Sequence, residues 1–297
     1  MNILIHTNIN LSKTDGALVW LINLSNKLIE ENNIITIFIP YPTNINNFLR
    51  NILDQDKINV LDINRKLTNK NIIKKINDIA INYDSIIIRH VDLFKVFSLT
   101  NETFKKTIIY ALEEDFDNVK KIKNNINQLW VQTDQLCEIY KPIIDNIRIT
   151  PPIVAYYKLN EKKDSNKIIY CGTLRDEENI LEMIETFNYI KSFNDKLYLK
   201  FCYGKIHGTR IFKKTIENII NKPPNRISFV ENLSLIDTHR ELANSTYAIF
   251  SRKKPLIIKK EQSTKELEYQ YYNLKILRKR EDMINLVNFD NKKETKL

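Results

Sequence analysis

Glycine is almost missing from this chain. Among 297 residues there are four: Gly16, Gly172, Gly204 and Gly208. With so few, no G-x-G-x-x-G dinucleotide fingerprint and no P-loop can be written anywhere. Cysteine is as scarce. Cys137, Cys171 and Cys202 are isolated, without a C-x-x-C pair, which excludes a disulfide framework and fits unpaired core thiols in a reducing compartment. The four histidines, His6, His90, His207 and His239, are scattered, so no zinc site is expected, and no metal or cofactor with it. No apolar run approaches the roughly 20 residues that cross a bilayer. The first residues, MNILIHTNIN, have no basic stretch ahead of their apolar positions. They read as a first strand rather than a signal peptide, and a cytoplasmic location is expected.

What is present suits packed cores. Hydrophobic residues make up 43% and charged residues 28%, which excludes a disordered chain. The length fits two domains of ordinary size. Lysine and arginine outnumber aspartate and glutamate by 46 to 36, a formal net charge of +10. That balance suits nucleic acid, an anionic membrane face or small anionic ligands, and it equally reflects Lys-rich composition alone. Only RKKPLIIKK (252–260) and KILRKR (275–280) are densely basic. No RNP, helix-turn-helix or zinc-finger pattern accompanies the charge, so no nucleic-acid partner is expected. The two basic runs suit peripheral contact with the inner face of a membrane, and equally a solvated surface.

The hydrophobic pattern alternates between short apolar runs and helical faces. ILIHT at 3–7 reads as a strand, 17–31 as a helix and IITIFIP as a strand. Apolar runs too short for helices and buried on both faces indicate a parallel sheet. The alternation continues through INVLDI, SIIIRH, KTIIYAL and NQLWVQ to Pro151-Pro152, which stops regular structure. A second alternation starts at KIIYCGTL and runs through LYLKFCYG, RISFVENL and TYAIFS to LKIL at 274–277. The expectation is an α/β chain of two Rossmann-like domains, 1–150 and 151–297, joined by a hinge at about 145–166, with parallel sheets facing a central cleft and a frayed tail at about 288–297.

Ligands of open parallel sheets bind outside the carboxyl ends of the strands, so the strand-to-helix junctions carry the candidate chemistry. All four glycines fall there, and a chain so poor in glycine keeps one where backbone geometry requires it. Gly16 opens the first helix, as a ligand-approach point or an ordinary turn glycine. His90, in RHVD after SIIIRH, is placed to orient a hydroxyl or move a proton, or else to cap the sheet edge. Glu113 and Asp115, in EEDFD, offer carboxylates for acid–base work, or favourable charge at a helix N-terminus. Gly172, Thr173 and Arg175, in GTLRDEEN, bring a backbone approach and a guanidinium able to clamp a phosphate. Lys205 and His207 are bracketed by Gly204 and Gly208. In STKELEYQYYN, Ser263 fits an N-cap, Glu266 the reciprocal position of a capping box, Leu267 and Tyr271 the packed face, and Asn273 a left-handed C′ residue. Glu268 is left over from this structural account. A carboxylate there can accept both hydroxyls of a ribose, while amides at the helix mouth near Ser263, Thr264 and Lys265 hold a diphosphate.

Strand-Gly-Thr-Leu-Arg before an acidic-Asn helix start, followed by Ser-Thr-Lys-x-x-Glu-Tyr before a closing strand, resembles the C-terminal half of GT-B glycosyltransferases. The retaining, family-4-like enzymes of bacterial surface polysaccharide synthesis are the most similar group. The resemblance covers 167–277; the first half matches mainly in alternation. It implies a nucleotide-diphosphate sugar donor of UDP or GDP type, held by the C-terminal domain without metal, with Glu268 on the ribose. It implies a glycan or lipid-linked acceptor held by the N-terminal domain. The chain departs from the family at several places. The family's phosphate lysine falls at Glu178, its neighbouring arginine at Thr173, and the first glutamate of its Glu-x7-Glu pair at Lys260, beside Glu261. Its late glycine and proline fall at Asn273 and Lys275. Arg175, Lys205 and Lys265 are the cations available in compensation. Two functions are therefore expected: a glycosyltransferase, or a catalytically silent GT-B-like binding module or partner subunit.

Overall fold

The computed structural model describes residues 1–11, 16–42, 52, 56–61, 63–89, 99–112, 115–154, 157–251 and 263–294, the last segment with side chains through 287. Two compact units meet in sequence between Ile153 and Val154, and the first turn of the first helix groups with the second unit.

The first unit is built on β1 (Asn2–His6), α1 (Gly16–Glu30), β2 (Ile34–Phe38), β3 (Ile58–Leu61), α2 (Asn69–Ile79), β4 (Ser85–Ile88), α3 (Asn101–Phe104), β5 (Thr107–Ala111), α4 (Phe116–Ile122), β6 (Gln128–Val131), α5 (Asp134–Tyr140) and β7 (Ile147–Ile149). Its seven strands are parallel, in the order β3-β2-β1-β4-β5-β6-β7. Ile, Leu and Val alternate to both faces, so Leu4, Ile5, Ile86, Ile88, Ile109 and Val131 are all buried. That is why these strands read as unbroken apolar runs.

The second unit contains β8 (Asp164–Cys171), β9 (Leu174–Arg175), α6 (Ile180–Ile190), β10 (Tyr198–Tyr203), β11 (Ile206–His207), α7 (Arg210–Asn221), β12 (Ile227–Glu231), α8 (Leu235–Ala243), β13 (Ser245–Ile249), α9 (Thr264–Tyr271), β14 (Lys275–Leu277) and α10 (Arg280–Glu294). Five strands form a parallel sheet, β12-β10-β8-β13-β14, and β9 and β11 make a separate two-stranded pair. Thr209 and Ser234 cap α7 and α8 by accepting from the Phe212 and Asp237 amides at 3.2 and 3.1 Å, satisfying donors that a helix start leaves open. Lys167, inside β8, is buried because its ammonium donates to Glu241 Oε2 at 2.6 Å, to the Glu241 carbonyl at 3.2 Å and to Asn244 Oδ1 at 3.1 Å. Lys200 reaches the same carboxylate at 2.7 Å and clamps α8 to the sheet.

Counted by order of appearance, both sheets follow 3-2-1-4-5, the Rossmann arrangement. Strand order reverses between β1 and β4 in one unit and between β8 and β13 in the other. Two expectations differ from this architecture. The joining stretch is shorter than 145–166, because Ile147–Ile149 pairs with β6 and Asp164 already lies in β8. The expected frayed tail is helical through Glu294; Met283 and Val287 seat this helix in the second core. The short helices α3 and α4 also escape a periodicity reading, having four and seven residues.

Candidate functional site

In the second sheet, the reversal point lies between the carboxyl ends of β8 and β13. The chain leaving β8 is Gly172-Thr173, and the chain leaving β13 passes Phe250-Ser251. Two cross-links gather groups around this point. The Cys171 amide donates to Tyr269 Oη of α9 at 2.9 Å, and Asn179 Nδ2 donates to Ser251 Oγ at 3.0 Å. The first link decides which face of α9 is buried. Its buried residues are Glu268 and Tyr269, while Tyr271 is exposed. The expected packed face of Leu267 and Tyr271 is thereby corrected: a hydroxyl anchored on the end of β8 outranks a leucine. The Glu266 carboxylate accepts from the Arg278 guanidinium, a long-range ion pair that the capping-box reading did not contain. Asn273 takes φ 51° as its C′ position requires, and the Leu274 amide closes the helix end on the Tyr269 carbonyl at 3.0 Å.

Glu268 is drawn inward with Tyr269 and is only 8% exposed. Among the described residues, none hydrogen-bonds its carboxylate. Burial pushes its carboxyl up to about 7, against the opposing pull of the Lys265 cation. Burial raises the Tyr157 and Tyr272 phenols, and the Glu268 charge adds a smaller share in the same direction. A buried carboxylate with unused acceptor capacity is costly in the free protein. A ligand that brings two hydroxyls would relieve that cost.

Lys265, one turn before Glu268, is the cation of the site. Its ammonium lies 2.7 Å from Glu178 Oε2 and 4.3 Å from the centre of the Tyr170 ring. Tyr170 Oη contacts both Glu178 Oε2 and the Thr173 carbonyl, and accepts from Lys265 Nζ at 3.2 Å. Burial, then the neighbouring Glu178 charge, holds the Tyr170 phenol well above its ordinary value. Gly172 sits directly under this lysine. It has φ +137°, and a Cβ there would lie 2.8 Å from Lys265 Cε and 3.0 Å from Nζ. Gly172 thus makes room for a lysine stem as well as for a left-handed turn. Gly208, at φ +146°, is crowded by Phe212 and Asp176.

The β9–β11 pair joins the two glycine-bearing loops, with His207 in register with Arg175 and Ile206 with Leu174. Arg175 is 41% exposed along its side chain and stands 3.8 Å from Glu177. Lys205 is half-buried, His207 is exposed, and Thr173 is buried. Ser263 and Thr264 are half-buried where α9 begins. Gly16 begins α1; a Cβ there would meet Thr264 Oγ1 at an ordinary 3.5 Å, so crowding does not explain this glycine.

In the first unit, His90 and Glu113 lie outside the described residues. Asp115 is the N-cap residue of α4. Its two carboxylate oxygens each stand 2.8 Å from Asn118 Nδ2, and its amide donates to Tyr140 Oη at 2.6 Å. The carboxylate expected to do acid–base work accepts from the Asn118 side chain and makes no capping hydrogen bond to the helix backbone. Sequence reading missed an aromatic–polar cluster at the carboxyl ends of β4 to β6. The Arg89 guanidinium lies 5.0 Å over Trp20, whose ring is 5.0 Å from Tyr110, and Gln132 Nε2 donates to Tyr110 Oη at 3.3 Å. Strand-end position was the available signal, since Arg89 and Gln132 directly follow β4 and β6.

No family model and no curated protein sequence matches this chain. Solved structures do match it. The Anabaena protein HepE, solved with UDP-glucose, superposes with a TM-score of 0.67 at 11% identity over 100% of this chain and 91% of its own. The pneumococcal O-GlcNAc transferase GtfA, solved with UDP and GlcNAc, gives 0.64 at 8% identity over 93% and 83%. AviGT4, a glycosyltransferase of avilamycin A biosynthesis, gives 0.61 at 10% identity over 93% and 78%. Together with the two Rossmann-type sheets, these likenesses establish the GT-B fold for this chain.

Proposed function

We propose that the chain is a glycosyltransferase that moves a sugar from a nucleoside-diphosphate donor, UDP- or GDP-type, to a hydroxyl of a glycan or lipid-linked acceptor, with retention and without a metal. The observation that carries this reading is Glu268. It is a nearly buried carboxylate without a hydrogen-bond partner among the described residues, held beside a cation where the second sheet reverses its strand order. A ribose diol supplies the two donors that the carboxylate lacks. The α9 amides and Lys265, Arg175 and Lys205 then face the diphosphate, each charge-assisted contact contributing about 1.5–3 kcal/mol. These contacts stabilise the charge that grows on the leaving diphosphate, which is where electrostatic catalysis acts. Fold neighbours solved with UDP, UDP-glucose or GlcNAc bound support the donor class. On the acceptor side, His90, Glu113 and Asp115 remain the proposed groups, with Asp115 acting through the helix it begins.

The test is calorimetry with UDP and with GDP on the wild type and on Glu268→Ala, followed by release of nucleoside diphosphate from a sugar-nucleotide panel. Binding that is lost in Glu268→Ala, whatever the base, supports the assignment; unchanged affinity and turnover overturn it. One observation favours a second reading, a catalytically silent binding module: Lys265 is already neutralised by Glu178. Nucleotide binding without turnover of any donor would select that module.

A further inference from the structure

A cavity of about 560 Å³ opens at the other end of the second sheet. Lys163, Ala243 and Asn273, which line it, lie just before β8, β13 and β14 respectively. It is therefore at the amino-terminal edge of the strands, whereas Gly172 and Lys265 sit at the carboxyl-terminal edge.

One wall is aromatic, made by Tyr157, Tyr271 and Tyr272. Tyr272 Oη donates to the Tyr157 carbonyl at 3.2 Å and lies 3.0 Å from His239 Nδ1. With the phenol proton spent on the carbonyl, His239 donates from Nδ1, and its Nε2 is a sealed acceptor without a partner among the described residues. Burial pushes His239 down to about 4, so the ring stays neutral at physiological pH. Lys163 Nζ ties the same segment to the Tyr272 and Ser245 carbonyls at 2.6 and 2.9 Å. The wall is thus fixed before any ligand arrives. At the mouth, Tyr271 is 37% exposed and stands edge-on to Tyr272, with centroids 4.9 Å apart and planes at 82°. Asn160 and Glu161 supply a polar rim.

Charge narrows the ligand class. The C-termini of α8 and α9 deliver their carbonyl ends here, and with Glu161 they disfavour an anion. Lys158 and Lys163 disfavour a cation. Rigid aromatic faces beside carboxamides and a carboxylate suit a molecule with apolar C–H faces and a belt of hydroxyls. We infer that this cavity is an oligosaccharide-binding subsite, separate from the donor site, for a neutral di- or trisaccharide stretch of glycan. Its volume lies within the roughly 300–1,000 Å³ of small-molecule sites. The choice of glycan deepens the proposed transferase reading, but the binding itself stands independently of it.

The experiment measures binding of maltotriose, cellotriose and chitotriose by saturation-transfer NMR and calorimetry, with UDP as a separate probe, on wild type, Tyr271→Ala and Asn160→Ala. We expect at least one trisaccharide to bind the wild type in the millimolar range, without competition from UDP. We expect Tyr271→Ala to weaken it by about tenfold, the share of one stacking ring, while UDP affinity is unchanged. Three results overturn the inference: no trisaccharide binding at all, binding unchanged in both variants, or displacement of the sugar by UDP. Absence of UDP binding alongside intact, Tyr271-dependent sugar binding would overturn the donor-site reading and leave the subsite standing.

Discussion

Replacing Glu268 with glutamine is expected to stabilise the free protein and to cripple nucleotide binding, and pH separates the two effects. Burial raises the Glu268 carboxyl from an ordinary value near 4.5 to about 7. The folded state therefore holds a proton that the unfolded state has released, and wild-type stability falls as pH rises from about 4.5 to 7. Each pH unit of that window corresponds to about 1.4 kcal/mol, so the ionised Glu268 costs about 3 kcal/mol at pH 8. Glu268→Gln removes that cost at pH 8 and changes little near pH 4, where the carboxyl is protonated in both states. At roughly 2–4 °C per kcal/mol for units of this size, the variant should melt about 6–12 °C above wild type at pH 8. His239 acts with the opposite sign: burial lowers it to about 4, so its contribution is lost as pH falls below the unfolded value near 6.5. The two slopes largely cancel in wild type, and Glu268→Gln should expose the His239 slope. UDP at 1,000 times its Kd should reverse the order, because it adds about 4.1 kcal/mol to the form that binds, more than the roughly 3 kcal/mol cost. The assay is urea unfolding followed by circular dichroism from pH 4 to 8, with and without UDP. A stability difference between wild type and Glu268→Gln that does not vary with pH, or a variant less stable at pH 8, would refute the reasoning.

Gly172→Ala places a Cβ 2.8 Å from Lys265 Cε at φ +137°; a loss of about 2 kcal/mol by urea unfolding is expected, with weaker UDP binding as Lys265 is displaced. Lys265→Met leaves the Glu178 carboxylate buried without its cation, an expected cost of about 3 kcal/mol. Adding Glu178→Gln should restore stability but not UDP affinity, which thermal melting and calorimetry on the single and double variants would show. Lys167→Met is expected to cost about 3 kcal/mol by leaving Glu241 short of one of its two cations. Burial works to raise Glu241, but Lys167 and Lys200 together hold it below the usual range, so the acid limb of the stability curve should change in this variant as the depressed group loses its partner.

The strands were legible because they are buried on both faces, as the unbroken apolar run of β4 shows. Gly172 and Asn273 were legible because left-handed backbone leaves few residue choices. What the sequence could not show is which side chain faces which. Leu267 and Tyr271 satisfy helical periodicity for a packed face, but Tyr269 wins it by bonding the backbone of Cys171, a residue 98 positions away. Asp115 stands in an acidic run that reads as catalytic chemistry, and in the structure its carboxylate accepts from Asn118 Nδ2 while its amide donates to Tyr140 Oη. Arg89 shows its strand-end position in the sequence but not its partner, since Trp20 comes from an earlier helix.

Glu178 and Lys265 act as one unit in the structure. Along the sequence, the acid Glu178 and Lys265 of the Ser-Thr-Lys-x-x-Glu-Tyr motif lie 87 residues apart. In space their charged atoms are 2.7 Å apart, stacked on Tyr170 over a glycine that leaves room for the lysine stem. The Glu178 carboxylate holds the Lys265 ammonium at the mouth of α9. A buried pair of this kind contributes little net stability, so stability alone does not explain keeping it. What it does fix is the position of an ammonium one turn from Glu268. A diphosphate arriving there must compete with Glu178 for Lys265, which should make binding weaker but more dependent on the nucleoside end, where Glu268 discriminates. Pyrophosphate alone should then bind this protein poorly relative to UDP, a ratio that calorimetry measures directly and that Glu178→Gln should shift toward pyrophosphate.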